Sequence, residues 1–149
     1  MRSQLKLLLL GICVAGCWAG AAAQNAPQRC PIAIENLVLG YSHAGGQSKP
    51  QLQLQFGNRA DRRIGTATFE LWLLAEGGYP HQYPDDLVYR DGLDPHKRKN
   101  FTWDLTPEAV DIHRTGESLV LHEVEFADGT SWKDDGSESC VLTIDYHPR

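Results

Sequence analysis

Six histidines, His43, His81, His96, His113, His122 and His147, are the residues that would hold a transition metal if the fold gathered them. Zinc sites draw imidazoles and thiolates at close spacing, because one turn or strand then fixes two ligands at once. None of the six stands at such a spacing, and the single Met is the first residue, so a Met-rich copper site is excluded. His122 is in phase with Val124 and Phe126, the placement of a partly buried strand residue. Asp134-Asp135-Gly136-Ser137-Glu138 offers hard oxygens around a glycine but lacks the alternating ligands of a calcium loop. It reads as a polar surface loop. No metal and no other cofactor is expected.

Catalytic patterns are equally thin. There is no Gly-x-Ser-x-Gly elbow and no Gly-rich phosphate loop after a strand. Ser42-His43 are neighbours in sequence, whereas a catalytic pair must meet in space. Asp85-Asp86 would do acid–base work only if burial separated their affinities for a proton. No catalytic residue is assigned. The reading favours a non-catalytic binding or accessory module of the cell envelope over a secreted hydrolase or a metal-binding periplasmic protein. The candidate binding loop is Tyr79-Pro80-His81-Gln82-Tyr83-Pro84. Its prolines favour extended backbone, which places Tyr79, His81 and Tyr83 on one side. Aromatics on a loop of a rigid scaffold suit sugar or protein surfaces. Asn100-Phe101-Thr102 fits the glycosylation sequon, which matters only in a eukaryotic host.

The first 23 residues read as a secretory leader. Arg2 and Lys6 precede an apolar run from Leu7 to Ala15, and Ala21-Ala22-Ala23 offers small residues for a signal peptidase. Glycines at 11, 16 and 20 break that run short of the ~20 residues a spanning helix needs. Val14-Ala15-Gly16-Cys17 offers a second processing site, at which Cys17 would be lipidated. The expected location is therefore secreted or periplasmic, with a membrane-anchored lipoprotein as the alternative.

Removing residues 1–23 from the 149 leaves 126, enough for one domain with a real core. The leader holds two of the 14 Lys and Arg and none of the 19 Asp and Glu, so the remainder stands at −7. That balance disfavours nucleic acid and anionic membrane surfaces, which need a basic face. Lys97-Arg98-Lys99 reads as a solvated loop beside a strand. The expected partner is an envelope or extracellular protein or glycan; a membrane enters only if Cys17 is lipidated. Cys13 and Cys17 fall in the leader, which leaves Cys30 and Cys140. In an oxidising compartment this pair forms a disulfide that joins the start of the domain to its last strand.

The elements that must position these residues are strands. After a linker over residues 24–29, period-two alternation begins at Pro31 with Ile32 and Ile34, and resumes as Leu37, Leu39 and Tyr41. Glu35-Asn36 between them marks a change of face or a bulge. Leu52, Leu54 and Phe56 alternate with glutamines; Ala67, Phe69, Leu71 and Leu73 alternate with polar residues. Gly77 to Asn100 is irregular, with a short strand at Leu87-Val88-Tyr89. Phe101, Trp103 and Leu105 alternate again, and Thr106-Pro107-Glu108 has the N-cap and proline that open a helical turn. Leu119 to Phe126 and Thr130 to Lys133 form a hairpin around Ala127-Asp128-Gly129. A two-residue Asp-Gly turn would set Phe126 opposite Ser131. A three-residue loop with Gly129 left-handed pairs Val124 with Trp132 and Glu123 with Lys133. The second register is preferred, because it gathers Val124, Phe126 and Trp132 on one face and pairs opposite charges on the other. Cys140, Leu142, Ile144 and Tyr146 make the final strand.

About seven to eight short strands with almost no helix argue an all-β antiparallel sandwich over residues 30–149. The order Ile34-Glu35-Asn36, Pro50-Gln51-Leu52, Phe56-Gly57-Asn58, Ile64 to Phe69, then Phe126 to Trp132 resembles secreted bacterial immunoglobulin-like or fibronectin-like domains of no assigned activity. The likeness spans most of the chain after the leader. Its motifs are turn and core residues, so it implies a fold and transfers no catalytic residue.

Overall fold

The computed structural model describes residues 29–43, 46, 48–77, 79–110 and 114–145. The leader, Cys17, all of the linker except Arg29, and His113, Tyr146 and His147 lie outside the described residues.

Two antiparallel sheets face each other. The first contains β1 (Ile32–Ser42), β2 (Lys49–Asn58) and β6 (Arg98–Asp104), in the order β1-β2-β6. The second is built on β3 (Ile64–Ala75) paired with β7 (Arg114–Phe126). The short strands β4 (Pro80–Gln82) and β5 (Leu87–Tyr89) share the free edge of β3. Likewise β8 (Ser131–Lys133) and β9 (Val141–Asp145) share the free edge of β7. Nine strands among the described residues thus form three positions in one sheet and four in the other. The chain is an all-β antiparallel sandwich.

Alternation sets which face is inside. On β2, Leu52, Leu54 and Phe56 are buried while Gln51, Gln53 and Gln55 point outward. Leu52 and Leu54 stand opposite Leu39 and Leu37 of β1. The register of that pair shifts between Ile34 and Asn36, a bulge at Glu35 that switches the buried phase. Five aromatic rings then close a circuit across the two sheets. Phe56 meets Phe69 at 6.0 Å and Tyr89 at 5.0 Å between centroids. Phe69 meets Trp103 at 5.7 Å, Tyr89 meets Phe101 at 5.2 Å, and Phe101 meets Trp103 at 4.9 Å. All five contacts are edge-to-face, the geometry the ring quadrupoles prefer. The Trp103 indole N–H crosses the gap to donate to the Val88 carbonyl at 3.2 Å.

The β7–β8 hairpin takes the three-residue register. Val124 pairs with Trp132 and Glu123 with Lys133, whose charged ends meet at 3.0 Å. Phe126 N–H donates to the Thr130 carbonyl at 2.9 Å, and Gly129 holds φ at 83°, a conformation that favours glycine. The turn after Thr106 forms as α1 (Pro107–Val110), with Ala109 N–H donating to the Thr106 carbonyl at 3.1 Å.

Three strand boundaries differ from the sequence reading. β6 begins at Arg98, so Arg98 and Lys99 lie within a strand rather than in a loop beside one. β2 supplies them with partners at Gly57 and Phe56. β7 begins at Arg114, well before Leu119, because β3 and β9 pair its first half from both sides. β4 forms inside the irregular stretch by pairing with Trp72, Leu73 and Leu74 on β3. Pro80 stands at its first residue, where a missing N–H is tolerated.

Cys30 and Cys140 are disulfide-bonded, with Cα atoms 5.4 Å apart. Cys30 leads into β1 of the first sheet and Cys140 into β9 of the second. The bridge therefore staples the two sheets together at one end of the sandwich.

Candidate functional site

A concavity of about 730 Å³, open to solvent, lies beside the disulfide. Four segments converge on it. Arg29, Cys30 and Pro31 come from the chain leading into β1. Arg59, Ala60 and Arg62 come from the β2–β3 loop, Phe126 and Trp132 from the β7–β8 hairpin, and Ser139 from the residue before the bridge. Among the described residues, three guanidiniums and no carboxylate line it, in a chain whose net charge is −5.

The loop carrying Arg59 and Arg62 is held from within by Asn58. This side chain is 3% exposed, and its amide is saturated by its own surroundings. The Asn58 NH2 donates to the Arg62 carbonyl at 2.8 Å and the Leu93 carbonyl at 3.0 Å. Its oxygen accepts from Ala60 N–H at 2.9 Å. The backbone joins in: Arg59 N–H donates to the Pro31 carbonyl at 2.8 Å, and Ala127 N–H to the Arg63 carbonyl at 2.9 Å. These bonds tie the loop to the chain before β1 and to the β7–β8 turn. Both are walls of the same cleft.

The three arginines stand in different states. The Arg62 guanidinium lies 3.9 Å from the centroid of the Phe126 ring, a cation–π stack. It also lies 3.6 Å from the Asp128 carboxylate and donates to the Thr130 hydroxyl. Asp128 in turn accepts from the Thr130 hydroxyl and N–H. Those bonds, with Arg62 beside them, hold its carboxyl below the usual range. Arg29 and Arg59 are exposed, and among the described residues neither side chain has an ion-pair or hydrogen-bond partner. Phe126 and Trp132 are buried beneath the arginines, and the Trp132 indole N–H finds no acceptor among the described residues.

A second hollow of about 350 Å³ shares Arg59 and adds Glu35, His96, Lys97 and Arg98. Here the charges are mostly compensated: Arg98 pairs with Glu35 at 2.9 Å and His96 with Asp61 at 2.9 Å. Arg59 stands on the ridge between the two hollows.

The loop singled out in the sequence lies at the opposite end of the sandwich. β4 pairs with the last residues of β3, whereas the cleft adjoins its first. The fold divides the trio. Tyr79 is 74% exposed and His81 is exposed, but Tyr83 is buried. The Tyr83 hydroxyl accepts from Thr106 N–H at 3.0 Å and lies 3.3 Å from the Thr106 hydroxyl. Tyr83 anchors the loop to the turn that opens α1, and Tyr79 and His81 are the members that face solvent. His122 lies 3.6 Å from Glu70 on the outer face of the second sheet. Among the described residues, no three His, Cys, Asp or Glu side chains come together to hold a metal.

Sequence reasoning passed over the cleft. Its signal was the segment Asn58-Arg59-Ala60-Asp61-Arg62-Arg63, three arginines in one short turn between strands. Attention to basic runs fell instead on Lys97-Arg98-Lys99.

No protein-family model matches the sequence. No curated protein matches it either. Among solved structures it is similar to a hypothetical protein from Peptoclostridium difficile 630, determined by X-ray diffraction at 1.85 Å. The two superpose with a TM-score of 0.52 at 12% identity, over 74% of this chain and 90% of that one. At that identity the likeness shows a shared fold.

Proposed function

We propose that this chain is an exported, non-catalytic binding module of the immunoglobulin-like or fibronectin-like kind, and that it takes its ligand in the cleft beside the disulfide. The observation that carries the proposal is the lining of that cleft among the described residues: three arginines, two without partners there, over two buried aromatics and without a carboxylate. A concavity of this size, with apolar walls and a few convergent charges, is the usual form of a small-molecule site. Arg59 and Arg62 stand on a loop that the Asn58 side chain holds, and Arg29 adjoins the cross-sheet disulfide, so the charged groups are presented from anchored segments.

The module assignment draws on the strand order. The first, second and sixth strands share one sheet, while the third and seventh form the centre of the other. This is the partition of immunoglobulin-type sandwiches. Export draws on the leader pattern together with the disulfide, a bond that persists in oxidising compartments.

Amide NMR of the oxidised domain tests the site. A fragment library balanced among carboxylic acids, amines and neutral sugars is titrated in. Acids are expected to shift the amides of Arg29, Cys30, Arg59 to Arg62 and Trp132. Perturbations gathered at Tyr79 and His81, or amines that shift the cleft more than acids do, would defeat the proposal.

A further inference from the structure

The difference between the arginines narrows the ligand. Arg62 is already committed to Phe126, Asp128 and Thr130. Arg29 and Arg59 are not, and a guanidinium presents a planar fork of donors that matches an oxyanion. Both residues line the same cleft, so one anion there meets two guanidiniums. Beside them lie Pro31, Ala60 and the Phe126–Trp132 floor, surfaces with no use for a bare ion. About 730 Å³ is also far more room than a single oxyanion fills, and it falls among the ~300–1,000 Å³ of sites for whole small molecules. A wholly apolar ligand fits no better, because it would take water from the two guanidiniums and give nothing back.

Resting on the cleft as the binding site, we infer that its ligand is an amphiphilic anion: a carboxylate or phosphate head carried on an apolar body. The head lies between Arg29 and Arg59. The body lies against Pro31, Ala60 and the aromatic floor. A fatty acid and a lipid phosphate both have this chemistry, and the two heads are separable by experiment.

Calorimetric titration of the oxidised domain at low ionic strength compares five probes: octanoate, octyl phosphate, octanol, acetate and inorganic phosphate. Octanoate or octyl phosphate is expected to bind at least about tenfold more tightly than octanol, acetate or inorganic phosphate, and the tighter of the two identifies the head. Arg59→Gln is expected to weaken that binding by about tenfold or more, the scale of one charge-assisted hydrogen bond. Lys49→Gln, at the far end of β2, is expected to leave it unchanged. Three results would each overturn the inference: octanol binding as tightly as octanoate, inorganic phosphate binding as tightly as octyl phosphate, or Arg59→Gln binding like the parent. Neither amphiphile binding would also overturn it. If library acids still shifted the cleft amides in that case, the cleft would stand as the site and only the ligand class would fall.

Discussion

Asn58 commits its whole side-chain amide to the loop that carries Arg59 and Arg62, reaching the carbonyls of Arg62 and Leu93 and the N–H of Ala60. It touches no ligand, yet it fixes where two of the cleft's arginines stand. Asn58→Ala removes the partners of the part-buried Arg62 carbonyl and Ala60 N–H, while the Leu93 carbonyl keeps the Ile64 N–H. The expected loss of stability is about 2–3 kcal/mol, read from urea unfolding, on the scale of one or two unsatisfied polar groups. A loss under about 0.5 kcal/mol would show that water or a rearranged loop replaces these bonds. From the sequence, Asn58 is one more turn residue after Gly57, because its partner Leu93 stands 35 positions away and nothing local marks the meeting. Tyr83 teaches the same lesson in reverse. Its period-two relation to Tyr79 and His81 is visible in the sequence; its burial against Thr106 depends on a turn 23 residues later.

At the scale of elements, strands with strong alternation were legible and strands defined by their neighbours were not. Leu52, Leu54 and Phe56 announce β2, and the charge and apolar matching of Glu123 with Lys133 and Val124 with Trp132 fixed the hairpin register. The first half of β7 has no such pattern. Arg114 to Ser118 becomes strand through pairing with β3 and β9, and it carries the wholly buried Glu117, which no alternation foretold. β4 is likewise recruited by the edge of β3. The disulfide was legible because only Cys30 and Cys140 follow residue 23. It closes a separation of 110 residues, so the chain-entropy account gives it up to about 4–5 kcal/mol. The double variant Cys30→Ser, Cys140→Ser is expected to lose stability on that scale in denaturant unfolding. An unchanged midpoint would mean that the sheets need no staple. Because Cys30 is itself a wall of the cleft, the same variant is also expected to bind octanoate or octyl phosphate more weakly.

Over the whole molecule, the acidic balance and the basic cleft belong to different levels of description. Net charge is a sum over the chain, and a sum of −5 disfavours a broad phosphate-binding face. It carries no information on how topology redistributes charge. Here the chain before β1 and the loop after β2 reach the same end of the sandwich, so Arg29 joins Arg59 and Arg62 from a distance of 30 positions or more. The same end holds the disulfide, the β7–β8 turn and the stacked Arg62–Phe126 pair. The opposite end carries Tyr79 and, on the short edge strand β4, His81. A crystal structure of the oxidised domain grown with octanoate or octyl phosphate tests binding in the arginine cleft most directly. The expected result is an anionic head within hydrogen-bonding distance of Arg29 and Arg59, with the chain lying toward Pro31 and Ala60. Ligand density beside Tyr79 and His81, with the arginine cleft filled only by water, would contradict it.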